Sequence, residues 1–125
     1  MDAVPAFPKT WTNIFSVIKM KRESVFQAAL VRKLRNIPFV VEVIKNDANC
    51  IQGFPDLTVY LKNGKWAILE CKREEKASRQ NNQEYYIRLF DHYGFARFIQ
   101  PENEEEVLHD LREYASRTCG EACTI

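Results

Sequence analysis

The residues best suited to chemistry are two acids and a lysine near the middle of the chain. The segment Gly53–Asp56 reads GFPD, and after a gap of thirteen residues the segment Glu70–Lys72 reads ECK. Two carboxylates side by side repel each other, and a hard cation between them removes that repulsion. An ammonium group beside such a cation can stabilise charge that develops on a phosphate. The residue types of Asp56, Glu70 and Lys72 therefore indicate phosphodiester hydrolysis.

A β-hairpin must bring these side chains together, and its turn decides whether they meet. Apolar runs on both sides of an Asn-Gly pair predict two strands joined near Lys62–Gly64. A two-residue turn would put Asp56 and Glu70 on opposite faces, whereas a three-residue loop with a left-handed Gly64 pairs them directly. The three-residue register also gathers one aliphatic face: Leu57, Val59, Leu61, Ala67, Leu69 and Cys71. We therefore predict the three-residue loop.

Lys72 lies two residues beyond Glu70, so both side chains project from the same face of one strand. A simpler interpretation is a salt-bridged strand edge in which Lys72 only neutralises Glu70. That alternative leaves the Gly53–Asp56 segment unexplained, and we therefore prefer a metal site.

Periodicity and turn residues predict the elements around this hairpin. Phe26, Leu30 and Leu34 recur every four positions and predict an amphipathic helix, and Gly94 predicts the end of a later one. The predicted elements are a helix over 23–36, strands over 39–45, 56–61 and 65–72, a helix from about 79 to 93, a strand over 95–100 and a helix over 104–117. This α-β-β-β-α-β-α order predicts an α/β sandwich with a mixed central sheet.

The composition is that of one folded domain. The 125 residues, of which 46% are apolar, fit a single domain over 1–125, with 1–20 forming an N-terminal arm or helix. Trp11 and Phe15 indicate that this arm docks, and they are candidate dimer contacts. No apolar run approaches the roughly 20 residues that cross a bilayer, and no signal-peptide pattern is present, so we expect a cytoplasmic protein without membrane contact.

Charge and cysteines leave alternatives open. Residues 19–45 contain seven Lys or Arg against two acids, and residues 101–113 contain six acids against one Arg. This pattern indicates either a basic, phosphate-binding front with an acidic back, or two solvated helix faces. The four cysteines match no common zinc spacing and are interpreted as free thiols. A zinc site of His109, Cys119 and Cys123, or a disulfide in the tail, is a minor alternative.

The segments GFPD and ILECK in combination resemble the signature of the PD-(D/E)XK nuclease superfamily. Within it, the chain is most similar to VRR-NUC-type domains and to phage and archaeal Holliday-junction resolvases. The likeness extends over residues 23–111 and implies a restriction-endonuclease-like core. It also implies that Asp56, Glu70 and the backbone carbonyl of Cys71 ligate Mg²⁺, with Mn²⁺ able to substitute. Lys72 would position or activate the attacking water and stabilise a phosphorane-like transition state that leaves a 5′-phosphate.

Two further residues match the family pattern. Glu23 opens the first helix where the family carries an acid that reaches the water shell of the metal. Gln83 lies where VRR-NUC domains carry a glutamine, and it would orient Lys72 or the scissile phosphate. The competing interpretations are a simple helix-start acid for Glu23 and a surface glutamine for Gln83, which has Gln80 as a near neighbour.

Basic residues beside the motif indicate the substrate. We expect contacts with the DNA backbone from four residues: Arg73, Lys76, Arg79 and Arg88. A chain this short has no room for a separate sequence-reading domain, so we expect a structure-selective endonuclease that cuts branched DNA such as Holliday junctions as a homodimer. The alternatives are a nicking or degradative nuclease on single-stranded, flapped or linear DNA, and a catalytically silent DNA-binding module.

Overall fold

A computed structural model of the protein describes residues 22–47, 50–77, 79 and 81–117. The elements are α1 (22–35), β1 (Val40–Lys45), β2 (Leu57–Leu61), β3 (Trp66–Cys71), α2 (Asn81–Tyr93), β4 (Phe95–Ile99) and α3 (Glu104–Ser116). The predicted α-β-β-β-α-β-α order is confirmed, and the boundaries are displaced by no more than about two residues, apart from the starts of α1 and α2, which border residues outside the described ranges. The predicted N-terminal arm and the cysteines of the tail lie outside the described residues.

The four strands form one sheet in the order β1-β2-β3-β4. Strands β1, β2 and β3 pair antiparallel, whereas β4 pairs parallel to β3 because α2 crosses between them. The prediction of a mixed central sheet is therefore confirmed. Its consequence for the site is that the end of β3 lies beside the end of β4 and close to the start of α2.

The β2–β3 hairpin has the predicted three-residue loop. Leu57 pairs with Leu69, and the backbone N–H of Leu61 donates to the Lys65 carbonyl at 2.9 Å. Gly64 is left-handed with φ 76°, as predicted, and Asn63 is also left-handed with φ 78°. Asparagine tolerates this conformation better than most residues, which explains why Asn-Gly suits the turn.

Helices cover both faces of the sheet and complete a sandwich. Helices α1 and α3 pack on one face, which we call the core face. Its buried residues include all six predicted positions and form a single cluster: Leu30, Leu34, Val40, Val43, Leu57, Val59, Leu61, Ala67, Leu69, Cys71, Phe95, Ile99, Val107, Leu111 and Ala115. Helix α2 packs on the opposite face, the site face, where Ile68, Ile87 and Ala96 form a smaller buried cluster. Gly94 directly follows α2, as predicted, and a glycine is required at this position because an added Cβ would lie only 2.7 Å from the Trp66 ring.

The described helices of the two oppositely charged regions, α1 and α3, lie on the same side of the sheet. Lys33 of α1 forms an ion pair with Glu104 of α3, so the basic and acidic helices are neighbours rather than a front and a back. The structure thus favours the interpretation of two solvated helix faces. Among the described residues, Cys50 and Cys71 are free thiols, as predicted. The described helices include none that is long and apolar enough to cross a membrane.

Candidate active site

The first three residues of the GFPD segment pack against their surroundings and thereby position Asp56. Gly53 is left-handed with φ 80°, and a Cβ at this position would lie 2.4 Å from the Cβ of Asn82 at the start of α2. The Phe54 ring packs edge-on against Tyr86 of the same helix, with the ring centroids 5.3 Å apart. Pro55 is fully buried. The loop is thereby fixed against α2, and Asp56 enters β2 beside the helix start.

Asp56 and Glu70 lie opposite each other across β2 and β3, as the predicted register requires. The backbone N–H of Asp56 donates to Glu70 Oε1 at 3.1 Å. In return, the Cys71 backbone N–H donates to Asp56 Oδ2 at 2.9 Å. These reciprocal bonds fix both carboxylates relative to the strand backbones, and they bring the two predicted acids to one place.

Gln83 links Glu70 to Lys72. Its side-chain Nε2 donates to Glu70 Oε2 at 2.9 Å, and Lys72 Nζ donates to Gln83 Oε1 at 2.7 Å. Lys72 Nζ also lies 3.8 Å from Glu70 Oε2, so the ion pair of the simpler interpretation is present as well. The structure does not favour the surface-glutamine alternative, because the half-buried Gln83 side chain bridges two buried charged groups.

Two charged side chains of the site are nearly inaccessible to water, since Glu70 is 3% exposed and Lys72 is 6% exposed. The pKa of Glu70 is raised from 4.5 to about 8, mainly by burial and next by the Asp56 carboxylate, while Lys72 opposes the shift. Burial also raises the pKa of Asp56, against the hydrogen bond from the Cys71 N–H. Such shifts cluster at functional sites, because folding alone gains nothing from a buried acid beside a half-buried one.

Glu23 and Gln27 approach the site from α1. The negative charge of Glu23 contributes to the raised pKa values of both Asp56 and Glu70, which places Glu23 on the side of α1 that faces the pair. The side chain of Gln27 contacts the Cys71 thiol. Burial raises the pKa of this thiol, so Cys71 stays protonated at neutral pH. Gln27 was missed at the sequence level, although its position one turn after Glu23 is a usable signal.

Asn46 is a second residue that sequence reasoning missed. It follows β1 directly, and its side-chain Nδ2 donates to the Pro55 carbonyl and to the Thr58 hydroxyl, at 3.0 Å in each case. The available signal was a polar amide at the end of an apolar strand, but its partner depends on the pairing of β1 with β2.

The predicted DNA-contacting residues are distributed around the loop before α2 and along the helix. Lys76 and Arg88 are exposed, and Arg73 is half-buried with an ion pair to Glu74 at 3.2 Å. The Arg79 guanidinium stacks over the Phe98 ring at 4.0 Å and lies 3.8 Å from Glu84. Arg79 therefore has a packing role in addition to any contact with phosphate.

The two central carboxylates fit a hard divalent cation. Mg²⁺ is usually held by one or two carboxylates and keeps several of its waters. Asp56 and Glu70 supply two carboxylates, which matches this requirement. A cation would also neutralise the repulsion that raises the pKa of Glu70. In the part of the chain that the structure describes, no group of three or more His, Cys, Asp or Glu is arranged to hold a metal ion.

Comparisons of the chain with protein-family models, with curated proteins and with solved structures found no match. The functional interpretation therefore depends on the chemistry of Asp56, Glu70, Lys72 and Gln83 and on the motif resemblance.

Proposed function

We propose that the protein is a magnesium-dependent endodeoxyribonuclease of the PD-(D/E)XK type, with a restriction-endonuclease-like core. The observation that carries this proposal is the pairing of Asp56 with Glu70 across adjacent strands, with Lys72 held beside them through Gln83. A salt bridge that only stabilises a strand edge needs neither a second acid beside the first nor an amide that bridges the acid to the amine.

The side chains divide the work of phosphodiester hydrolysis. Asp56 and Glu70 would hold the divalent cation together with the Cys71 carbonyl, and Glu23 would hold one of its waters. The cation, when bound, polarises the phosphate and lowers the pKa of water. Lys72 donates hydrogen bonds to the attacking water or to the phosphate oxygen on which negative charge develops. Because Gln83 accepts a hydrogen bond from Lys72, it orients the ammonium group toward that position.

We propose branched DNA, such as a four-way junction, as the substrate and a cytoplasmic homodimer as the active form. Support for a nucleic-acid substrate comes from basic residues near the site, with Lys76 and Arg88 exposed. A two-fold dimer would present two active sites to the two strands that must be cut to resolve a junction.

A cleavage assay on matched substrates tests the proposal. Labelled four-way junction, flap, single-stranded and linear duplex DNA of related sequence are incubated with Mg²⁺, Mn²⁺ or EDTA. We expect the wild type to cut the junction with either metal, Glu70→Ala to cut nothing, and Glu105→Gln, an exposed acid on α3, to behave as wild type.

The other outcomes separate the competing functions. Equal cleavage of linear, flapped and single-stranded DNA would indicate a degradative nuclease. Binding of the junction without cleavage by any metal would indicate a silent DNA-binding module, and cleavage that survives in Glu70→Ala would remove the proposed site.

A further inference from the structure

Asn46 lies at the register position opposite Asp56. Ile44 pairs with Thr58 and Lys45 pairs with Leu57, so the next pair along the two strands is Asn46 with Asp56. The backbone confirms this continuation, because the Asn46 N–H donates to the Asp56 carbonyl at 2.7 Å. Asn46, Asp56 and Glu70 therefore form a cross-strand row over β1, β2 and β3, at the end of the sheet that carries the site.

The side chain of Asn46 uses both hydrogens of its amide. One bond goes to the Pro55 carbonyl and the other to the Thr58 hydroxyl, each at 3.0 Å. Pro55 is fully buried, so its carbonyl requires a partner inside the protein. These two acceptors flank Asp56 in sequence, and a primary amide can supply both donors at once, whereas a hydroxyl or a carboxylate cannot.

Asp56 is consequently held from two sides. On the β3 side, Glu70 Oε1 accepts the Asp56 N–H and the Cys71 N–H holds the Asp56 carboxylate. On the β1 side, the Asn46 side chain bonds to Pro55, the residue before Asp56, and to Thr58, two residues after it, while the Asn46 N–H donates to the Asp56 carbonyl. The Asn46 bonds therefore join the end of β1 to the start of β2, in addition to the contacts that fix the loop against α2.

We propose that Asn46 is a positioning residue that sets the location of the Asp56 carboxylate for divalent-cation binding. This inference rests on the proposed function, because it assigns Asp56 to the cation. Residues that orient a metal ligand through hydrogen bonds typically change metal affinity about 10–100-fold when they are removed. Asn46 itself touches neither the cation nor the phosphate in this proposal.

Metal titration of four proteins tests the role. Mn²⁺ is titrated calorimetrically into the wild type, Asn46→Ala, Thr58→Val and Asn103→Ala at one pH. We expect Asn46→Ala to bind Mn²⁺ at least about tenfold more weakly, and Thr58→Val, which loses only one of the acceptors, to show a smaller loss. Asn103 is the matched control, since its amide also bonds backbone groups, namely the Gln100 N–H and the Phe98 carbonyl.

Urea unfolding of the same proteins separates positioning from general damage. Loss of hydrogen bonds should lower the stability of Asn46→Ala and Asn103→Ala by similar amounts, while only Asn46→Ala loses metal affinity. Wild-type affinity for Mn²⁺ in folded Asn46→Ala would overturn the proposal, as would an equal loss of affinity in Asn103→Ala.

Amide hydrogen exchange gives a readout that needs no metal. The Cys71 N–H donates to the Asp56 carboxylate, so its exchange reports whether this carboxylate is in place. In the metal-free protein, Asn46→Ala should accelerate exchange of the Cys71 amide more than exchange of core amides such as that of Leu69. Unchanged protection at Cys71 would refute the positioning role, even if the wild type binds Mn²⁺. Conversely, a wild type that binds no Mn²⁺ while Cys71 exchange does respond would refute the proposed function and leave the orienting contact intact.

Discussion

The two faces of the sheet bury different kinds of residues. The core face buries fifteen residues in one cluster between the sheet, α1 and α3, and each of them is apolar or a cysteine. The site face buries only three residues in its apolar cluster, and at its edge it also buries Glu70 and Lys72. Alternate residues of one strand serve both faces, since Leu69 points into the core and Glu70 into the site.

This difference indicates where stability and function are located. Burial of an aliphatic side chain contributes about 1.5–3 kcal/mol, and the core face collects most such residues. Burial of a charged group costs free energy unless the group is paired, and on the site face this cost applies to Glu70. We infer that the core face maintains the fold. The site face instead buries an acid whose negative charge is unfavourable there, and a bound cation would reduce that cost.

The largest expected contrast lies between neighbouring residues on β3. Leu69→Ala should destabilise the protein by about 2–5 kcal/mol through cavity formation. Glu70→Gln, which keeps the size and an acceptor oxygen of the side chain, should retain most of the stability but lower metal-dependent cleavage by about a thousandfold. Urea unfolding and initial cleavage rates measure the two effects. A Glu70→Gln variant that unfolds as readily as Leu69→Ala would contradict the division between the faces.

A smaller contrast is expected between two glutamines on either side of the sheet. Gln83→Ala removes the bridge between Glu70 and Lys72, and we expect cleavage to fall about 10–100-fold with little change in stability. Gln27→Ala removes a contact to the Cys71 thiol on the core face and should change the cleavage rate much less. Single-turnover rates at saturating Mg²⁺ make the comparison, and equal losses would mean that Gln83 has no special role.

The pH dependence of stability should distinguish the site face from the core face. Because the pKa of Glu70 is raised to about 8, the folded metal-free protein retains a proton that the unfolded chain releases above 4.5. Stability from this group is therefore present at low pH and is lost as pH rises toward 8. Glu70→Gln mimics the protonated acid and should gain about 3 kcal/mol over the wild type between pH 5.5 and 8.5.

Urea unfolding in EDTA at both pH values measures this gain. Glu102→Gln, at an exposed position, serves as the control and should follow the wild type. If the stability of Glu70→Gln and that of the wild type change with pH in the same way, Glu70 ionises normally. Burial would then cost the site face less free energy than we infer.

The smallest effect is expected for single basic residues outside the site. Arg88→Ala on α2 should weaken binding of junction DNA modestly and reduce the slope of log affinity against log salt by about one. Arg112→Ala on α3, on the core-face side, should leave both unchanged. Fluorescence anisotropy at several salt concentrations measures the slope, and identical slopes for the two variants would remove the assignment of DNA to the α2 side.

Local sequence signals were sufficient to predict the hairpin and the acids that it joins. Asn63 and Gly64 fix the loop, the loop fixes the register, and the alternation of Leu69, Glu70 and Cys71 then assigns the faces. These steps need only neighbouring residues and the two-residue period of a strand. The order of helices and strands was predictable for the same reason, because each element has its own periodicity and its own turn residues.

Contacts that cross long loops could not be predicted in this way. The partner of Asn46 depends on how β1 pairs with β2, and this register is shifted between Val40 and Glu42 by an irregularity that the sequence does not reveal. The stacking of Arg79 on Phe98 depends on where α2 begins. Likewise, the contact between Lys33 and Glu104 requires both helices to lie on one face, which charge counts do not show.

The different surroundings of Cys50 and Cys71 make selective chemical labelling practicable. Cys50 is exposed in the loop between β1 and β2, whereas Cys71 is fully buried with a raised pKa. Because thiol-reactive dyes attack accessible thiolates, Cys50 should be modified and Cys71 spared in a variant whose tail cysteines, Cys119 and Cys123, are replaced by serine. A fluorophore at Cys50 would then lie in the same loop as Asp56, and its emission could follow DNA binding without alteration of the site.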